Sequence, residues 1–194
     1  AIHRVQVPDE LEASHSLVFL NINNDKIVAY QTSPNLPYRL LSGTPDFTDG
    51  NKLVMKWTSV CDAYQDLSYS TVEKLKNVSF KIVTVQTEDK TTSFDSIVVE
   101  PIVKPFEPHS LVMIPHGGPH SNYTTIYLTT FTYFATLGHT LCLVNYRGSV
   151  GYGMRPLRSL VGKCGFQDVS DVHAATTFML ENYNVHREKI AVYG

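Results

Sequence analysis

The stretch SLVMIPHGGPHSNY, residues 110–123, sets His116, Gly117, Gly118, Pro119 and His120 just past the apolar run Leu111–Ile114. An apolar run that stops at a glycine pair marks the end of a buried strand. Three chemistries have to be weighed for such a turn. Two histidines four residues apart make a metal pair on a helix, but Gly-Gly-Pro between them cannot sustain one. The zincin arrangement also requires a glutamate after the first histidine. No metal site is expected.

A second glycine-rich segment, RGSVGYG, places Gly148, Gly151 and Gly153 as G-x-x-G-x-G after another apolar run. The dinucleotide fingerprint runs in the opposite order and its last glycine opens a helix. Here Arg155-Pro156 follows soon after, so the segment reads as a surface loop. There is no G-K-[ST] to cradle a phosphate, and no nucleotide cofactor is expected. The third chemistry is acyl transfer. In α/β-hydrolases an HGGG-type loop after an early strand presents a backbone N–H to the oxyanion. Glycine is expected there because a Cβ would crowd the carbonyl or oppose the turn. A plain glycine turn accounts for the same spacing, and these residues alone leave the two readings level. A histidine in such a loop reads as hydrogen-bonded scaffold rather than as a base.

The elements that must position these loops fall into two parts. Residues 1–75 read as strands and loops. SLVFLN and KIVAYQT flank the polar turn Ile22-Asn23-Asn24-Asp25, which predicts a hairpin, and NKLVMKWTSV is a further strand preceded by the turn-rich SGTPDFTDGN. Few strands with exposed edges do not make a stable domain, so this part is expected to belong to a larger β structure. From residue 76 the pattern changes. VSFKIVTVQT and SFDSIVVEP form a hairpin across Glu88-Asp89-Lys90, and the strand Leu111–Ile114 leads into the HGGPH turn. A helix is predicted over about 124–137, stopped by Gly138, and then the strand TLCLVNY. A second helix is predicted from about Asp168 to Tyr183, with Val169, Val172, Ala175, Thr176 and Met179 on one face. KIAVYG closes as a buried strand. Strands alternating with helices predict an α/β domain with a mostly parallel sheet.

Composition narrows the partners. The 194 residues are 43% hydrophobic and 18% charged, with a net charge of −2 and no long block of one sign. That offers no electrostatic reason for a nucleic-acid or membrane partner, and no apolar run approaches the roughly 20 residues of a membrane span. Cys61, Cys142 and Cys164 are odd in number and lack CxxC spacing, so they read as free thiols in a reducing compartment. The chain opens on Ala1 with no basic-then-apolar leader and is expected to be a fragment.

MIPHGGPHS, LVNYRGSVGYG, GFQDVSDV and KIAVYG, in that order, resemble the motifs of the prolyl oligopeptidase family of serine peptidases. HGGPHS with the Gln-Asp-Val-x-Asp-Val run is similar to its acylaminoacyl-peptidase branch. The resemblance covers about 95–194 strongly and 1–75 weakly. It implies the last strands of a β-propeller over 1–75 and the N-terminal half of an α/β-hydrolase domain over 76–194. It also implies an enzyme without metal or cofactor that removes N-acylated residues from short peptides, in the cytoplasm and as a homo-oligomer. Carried over by motif, Gly118 donates an oxyanion N–H, Gly117 and Pro119 shape the loop, and His116 and Arg147 support it, with Asp168 or Asp171 as a partner for Arg147. In this family a Gly-x-Ser-x-Gly elbow follows the strand matching IAVYG, and the chain stops at Gly194. The triad is therefore expected beyond Gly194, and the chain alone is expected to be inactive. The alternatives are a proline- or dipeptide-specific peptidase of the same family, or a non-catalytic interaction protein of the same fold.

Overall fold

A computed structural model describes residues 15–48, 52–103 and 108–194. They divide into two compact units, one of the described residues up to 73 with 125–127, the other of the described residues in 74–124 and 128–194.

The first unit is a four-stranded antiparallel sheet in the order β1 (Ser16–Asn23), β2 (Lys26–Ser33), β3 (Leu36–Thr48) and β4 (Lys52–Asp62). Asn23 pairs with Lys26, leaving Asn24 and Asp25 as the two-residue turn. Asn24 adopts φ 52°, the left-handed conformation that such a turn needs and asparagine tolerates. The turn-rich reading of SGTPDFT is overturned, because these residues continue β3. Pro45 is accommodated because β2 reaches only to Gly43, so the missing N–H lies beyond the β2 ladder. Thr125–Tyr127 belong to this unit as well. The Tyr127 N–H donates to Thr32 Oγ1 at 3.0 Å, and the Tyr38 hydroxyl donates to the Tyr127 carbonyl at 3.1 Å. After β4 comes a short helix not foreseen from the sequence, α1 (Tyr69–Lys76), with Ser68 Oγ accepting the Thr71 N–H at 3.2 Å as its cap.

The second unit carries β5 (Val78–Gln86), β6 (Ser93–Pro101), β7 (His109–Pro115), α2 (Thr129–Thr136), β8 (Thr140–Asn145), α3 (Met154–Ser159), α4 (Gln167–Asn182) and β9 (Val185–Val192). Its five strands lie in the order β5-β6-β8-β7-β9. β7 is parallel to both β8 and β9, whereas β5, β6 and β8 pair antiparallel. The sheet is thus mixed rather than mostly parallel. Only strands joined through a helix run parallel here, and the β5–β6 hairpin brings in the antiparallel half.

Side chains alternate between the two faces. Ile97, Val99, Ile114, Leu141 and Leu143 pack on one side with Ala135 of α2. Val98, Leu111, Met113, Cys142 and Val144 pack on the other with Ala174, Ala175 and Met179 of α4. β8 is buried along its whole length, as a strand covered on both faces must be.

Three helix expectations need correction. α2 begins at Thr129 and not near 124, since the Tyr127 backbone is already bonded by Thr32 and Tyr38. Arg155-Pro156 does not exclude a helix: Pro156 sits in the first turn of α3, where its missing N–H costs nothing. α4 buries Asp171, Ala174, Ala175 and Met179, while Val169 is exposed. The buried stripe therefore includes a carboxylate that an apolar pattern search passes over.

Candidate functional site

Because β7 and β8 are parallel neighbours, with Pro115 opposite Val144, the loops leaving their C-terminal ends lie side by side. One is HGGPH and the other is YRGSVGYG. Ligands of open α/β sheets gather at this edge.

His116 is buried and stacks on Tyr146, with ring centroids 4.3 Å apart and an interplanar angle of 23°. Its Nδ1 lies 2.9 Å from the Gly117 carbonyl and its Nε2 lies 2.7 Å from Ser149 Oγ. The Tyr146 hydroxyl donates to the carbonyls of His116 at 2.7 Å and Pro119 at 3.3 Å. His120 Nδ1 meets the Gly148 carbonyl at 2.8 Å, and the Val150 N–H donates to the Ser121 carbonyl at 3.0 Å. Further along, Asn145 closes both backbone groups of Tyr123: Oδ1 accepts its N–H at 2.7 Å, and Nδ2 donates to its carbonyl at 2.9 Å. The two loops are in this way tied at five successive points.

The ties reach α4 through Arg147. Its guanidinium bonds both oxygens of Asp171, with Nη2 to Oδ1 at 2.7 Å and Nε to Oδ2 at 3.0 Å, and its backbone N–H takes Oδ2 at 2.9 Å. Asp171 is fully buried. Asp168 is used elsewhere, accepting the Gly165 N–H at 2.7 Å ahead of the helix. Gly148 lies where the RGS turn presses on α3. A Cβ there would meet Leu160 Cδ2 at 2.2 Å, and its φ is +121°.

The two loop glycines differ. Gly118 has φ +125°, and a Cβ there would come to 3.0 Å from Ser121 Cβ, so its backbone requires glycine. A Cβ on Gly117 would meet nothing within 4 Å, so crowding inside the chain does not account for that glycine. Gly118 is exposed, and its N–H donates to no acceptor among the described residues.

Electrostatics follow burial. Loss of solvent holds the His116 imidazole below its ordinary pKa of 6.5, against a smaller raising effect of the Gly117 carbonyl. Burial, with the Asp168 charge nearby, pushes the Tyr146 hydroxyl up to about 12, so it stays a donor. The hydrogen bonds to Asp171 raise Arg147 above its ordinary value. Ser149 beside His116 has the outline of a nucleophile and base, but Ser149 is only 1% exposed, out of reach of a substrate. Among the described residues no three metal-ligating side chains converge, and no helix is long and apolar enough to cross a membrane.

The structure thus gathers His116, Gly117, Gly118, Pro119 and Arg147 at one edge of the sheet. The sequence reading passed over Tyr146 and Asn145. Their signal was position, immediately after a buried strand whose C-terminal end faces the HGGP loop.

The model of the prolyl oligopeptidase family matches residues 125–194. The likeness to prolyl oligopeptidase relatives extends over most of the chain. It is 31% identical to the acylamino-acid-releasing enzyme of Mus musculus over 185 residues, covering 90% of this chain and 24% of that protein. With the enzyme of the same name from Arabidopsis thaliana it is 28% identical, covering 94% of this chain and 25% of that protein. The chain therefore spans about a quarter of the length of the curated relatives it matches. Among solved structures, the Pyrococcus horikoshii acylaminoacyl peptidase superposes with a TM-score of 0.71 at 20% identity, over 93% of this chain and 27% of that one. At that identity the superposition shows the prolyl oligopeptidase-type fold and nothing finer.

Proposed function

We propose that this chain is part of a serine peptidase that removes N-acylated amino acids from the N-terminus of short peptides. In this reading 1–75 supply the last strands of a β-propeller and 76–194 the first half of an α/β-hydrolase domain. The Ser-Asp-His triad lies in the remainder of the longer protein. The observation that carries the reading is the Gly118 N–H. It stands at the C-terminal edge of the sheet, exposed and without an acceptor among the described residues, on a loop held by Tyr146, His116 and His120.

A serine attacking a peptide carbonyl drives negative charge onto the carbonyl oxygen. A backbone N–H fixed where that charge develops stabilises the tetrahedral intermediate without reorganising at the moment of reaction. Gly118 would be that donor, with Gly117 and Pro119 shaping the loop and Arg147 anchoring the neighbouring turn to α4.

An N-acetyl group removes the charge of a peptide's amino terminus. An apolar acyl pocket then accepts it without the several kcal/mol cost of burying an unpaired ammonium. The three unpaired cysteines support a reducing, cytoplasmic location, and the resemblance adds a homo-oligomeric assembly. The test is a paired kcat/KM comparison in the full-length protein on one peptide, with and without an N-acetyl group. Faster release of acetyl-alanine or acetyl-methionine is expected. Equal rates, or preference for the free amine or an internal proline, would move the protein to another branch of the family.

A further inference from the structure

The geometry points to a second ligand pocket beside the candidate site, one that takes the free amino end of a peptide, with its α-ammonium on Asp95 and its first carbonyl on the Tyr152 hydroxyl. A cavity of about 320 Å³ opens where the C-terminal ends of β5 and β8 meet the start of β6, and Thr84, Asp95, Asn145, Arg147 and Tyr152 all line it. That volume lies at the small end of the range for ligand pockets. Asp95 and Arg147 are the charged residues of the lining, and the Arg147 guanidinium is already spent on Asp171. Asp95 is therefore the charge that a ligand meets.

Thr84 pairs with Asp95, and Asp95 with Asn145, across three neighbouring strands, so the three side chains share one face of the sheet. Thr84 Oγ1 donates to Asp95 Oδ1 at 2.9 Å, and Oδ2 meets no donor among the described residues. The Asn145 amide has only one orientation open to it, because the Tyr123 N–H can only donate and must face Oδ1. Nδ2 then has two protons, and both are placed. One goes to the Tyr123 carbonyl at 2.9 Å, the other to the Tyr152 hydroxyl oxygen at 3.0 Å. Tyr152 accepts in that bond, so its own proton remains to be given, and no acceptor for it lies within reach among the described residues. Burial holds the Tyr152 hydroxyl above its ordinary pKa of 10.0, against a smaller lowering effect of the Asn145 bond, so the proton stays on it. The cavity thus offers one anionic acceptor and one hydroxyl donor. A carboxylate ligand would be repelled by Asp95, and an amine alone would leave the Tyr152 proton unmet. The first residue of a peptide carries a cationic donor and a carbonyl acceptor together and satisfies both. On the peptidase reading given above, hydrolysis would supply this group: water's hydroxyl goes to the acylated residue, and a proton goes to the amine of the residue behind it. The pocket itself does not rest on that reading, and its test needs no turnover.

The test is calorimetric titration of the full-length protein at about pH 6.5, where an α-amine is charged. Alaninamide carries both the ammonium and the carbonyl and should bind saturably. Propanamide lacks the ammonium and should bind at least about tenfold more weakly, as expected for losing a hydrogen bond to a charged group. Ethylamine lacks the carbonyl and should bind roughly twofold to tenfold more weakly, the range for a neutral hydrogen bond. Asp95→Asn keeps the oxygen that Thr84 uses, and it should weaken alaninamide by about as much as removing the ammonium does. Tyr152→Phe should match the ethylamine loss. The three probes on the unsubstituted protein decide the matter even where a variant fails to fold. Absence of saturable alaninamide binding, or propanamide binding as tightly as alaninamide, would overturn the inference. So would alaninamide binding that is unchanged in a folded Asp95→Asn protein, since the ligand would then sit elsewhere. Binding that depends on Asp95 in a protein without peptidase activity would uphold the pocket and remove only the reaction proposed to fill it.

Discussion

The Asp171 carboxylate receives three groups of one residue: Nη2, Nε and the backbone N–H of Arg147, at 2.7, 3.0 and 2.9 Å. The pair spans 24 residues and joins the loop after β8 to the buried face of α4. Exposed ion pairs contribute about 0–1 kcal/mol, but Asp171 is fully buried and Arg147 is only partly exposed. Removing one partner of a buried pair strands the other, at a cost on the order of 3–5 kcal/mol. Asp171→Ala should lower the urea midpoint of unfolding accordingly. A loss below about 1 kcal/mol would put this pair with the exposed ones.

The two loop glycines should respond differently to the same methyl group. Gly118→Ala forces an L-residue to φ +125° and costs about 1–3 kcal/mol of stability. Gly117→Ala meets open space and should stay within about 0.5 kcal/mol. In the full-length protein, under the proposed peptidase reading, loss of the Gly118 donor should also cost roughly 10²–10³ in turnover. Normal turnover in a folded Gly118→Val protein would reduce HGGP to a turn.

Stability should fall on acidification. His116 is held below its ordinary pKa of 6.5 by burial, so the unfolded chain binds more protons there than the folded one. Its contribution is fully present above pH 6.5 and is lost as pH drops from that value through the lower folded-state pKa. Unfolding midpoints measured at about pH 5.5 and 7.5 should differ in this direction, and His116→Gln should narrow the gap. An unchanged gap would assign the pH dependence to other groups.

The three thiols should separate into two classes. Cys142 lies inside β8, where burial pushes its pKa up to about 12, whereas Cys61 and Cys164 are exposed. The thiolate is the reactive form. A disulfide reagent at neutral pH should therefore modify Cys61 and Cys164 quickly, and Cys142 only when the sheet unfolds. Fast titration of all three would contradict the burial of β8.

No described serine sits at a strand-to-helix elbow; of the two paired with a histidine, Ser149 is buried and Ser110 lies within strand β7. A fluorophosphonate probe should leave the isolated 194-residue chain unlabelled. Saturable, stoichiometric labelling of one serine would mean that the chain carries its own nucleophile.

What could be read along the chain was whatever neighbours along the chain decide. Both hairpins, the apolar runs of β7 and β8, and the glycine stop after α2 are local matters of turn chemistry and burial pattern. So were the ordered motifs by which the chain resembles prolyl oligopeptidases. Partner choice was not local. Asp168 and Asp171 sit one helical turn apart, and only the docking of α4 turned Asp171 inward to Arg147 while Asp168 capped the preceding loop. Pro45 looked like a turn until β3 was seen to outrun β2. The parallel or antiparallel sense of the sheet depended on which strands a hairpin or a helix connected. The hydrogen bond between His116 and Ser149 joins residues 33 apart along the chain. Hydrogen bonds between distant loops exist only once the strands that carry them are paired, and that pairing is a property of the packed sheet.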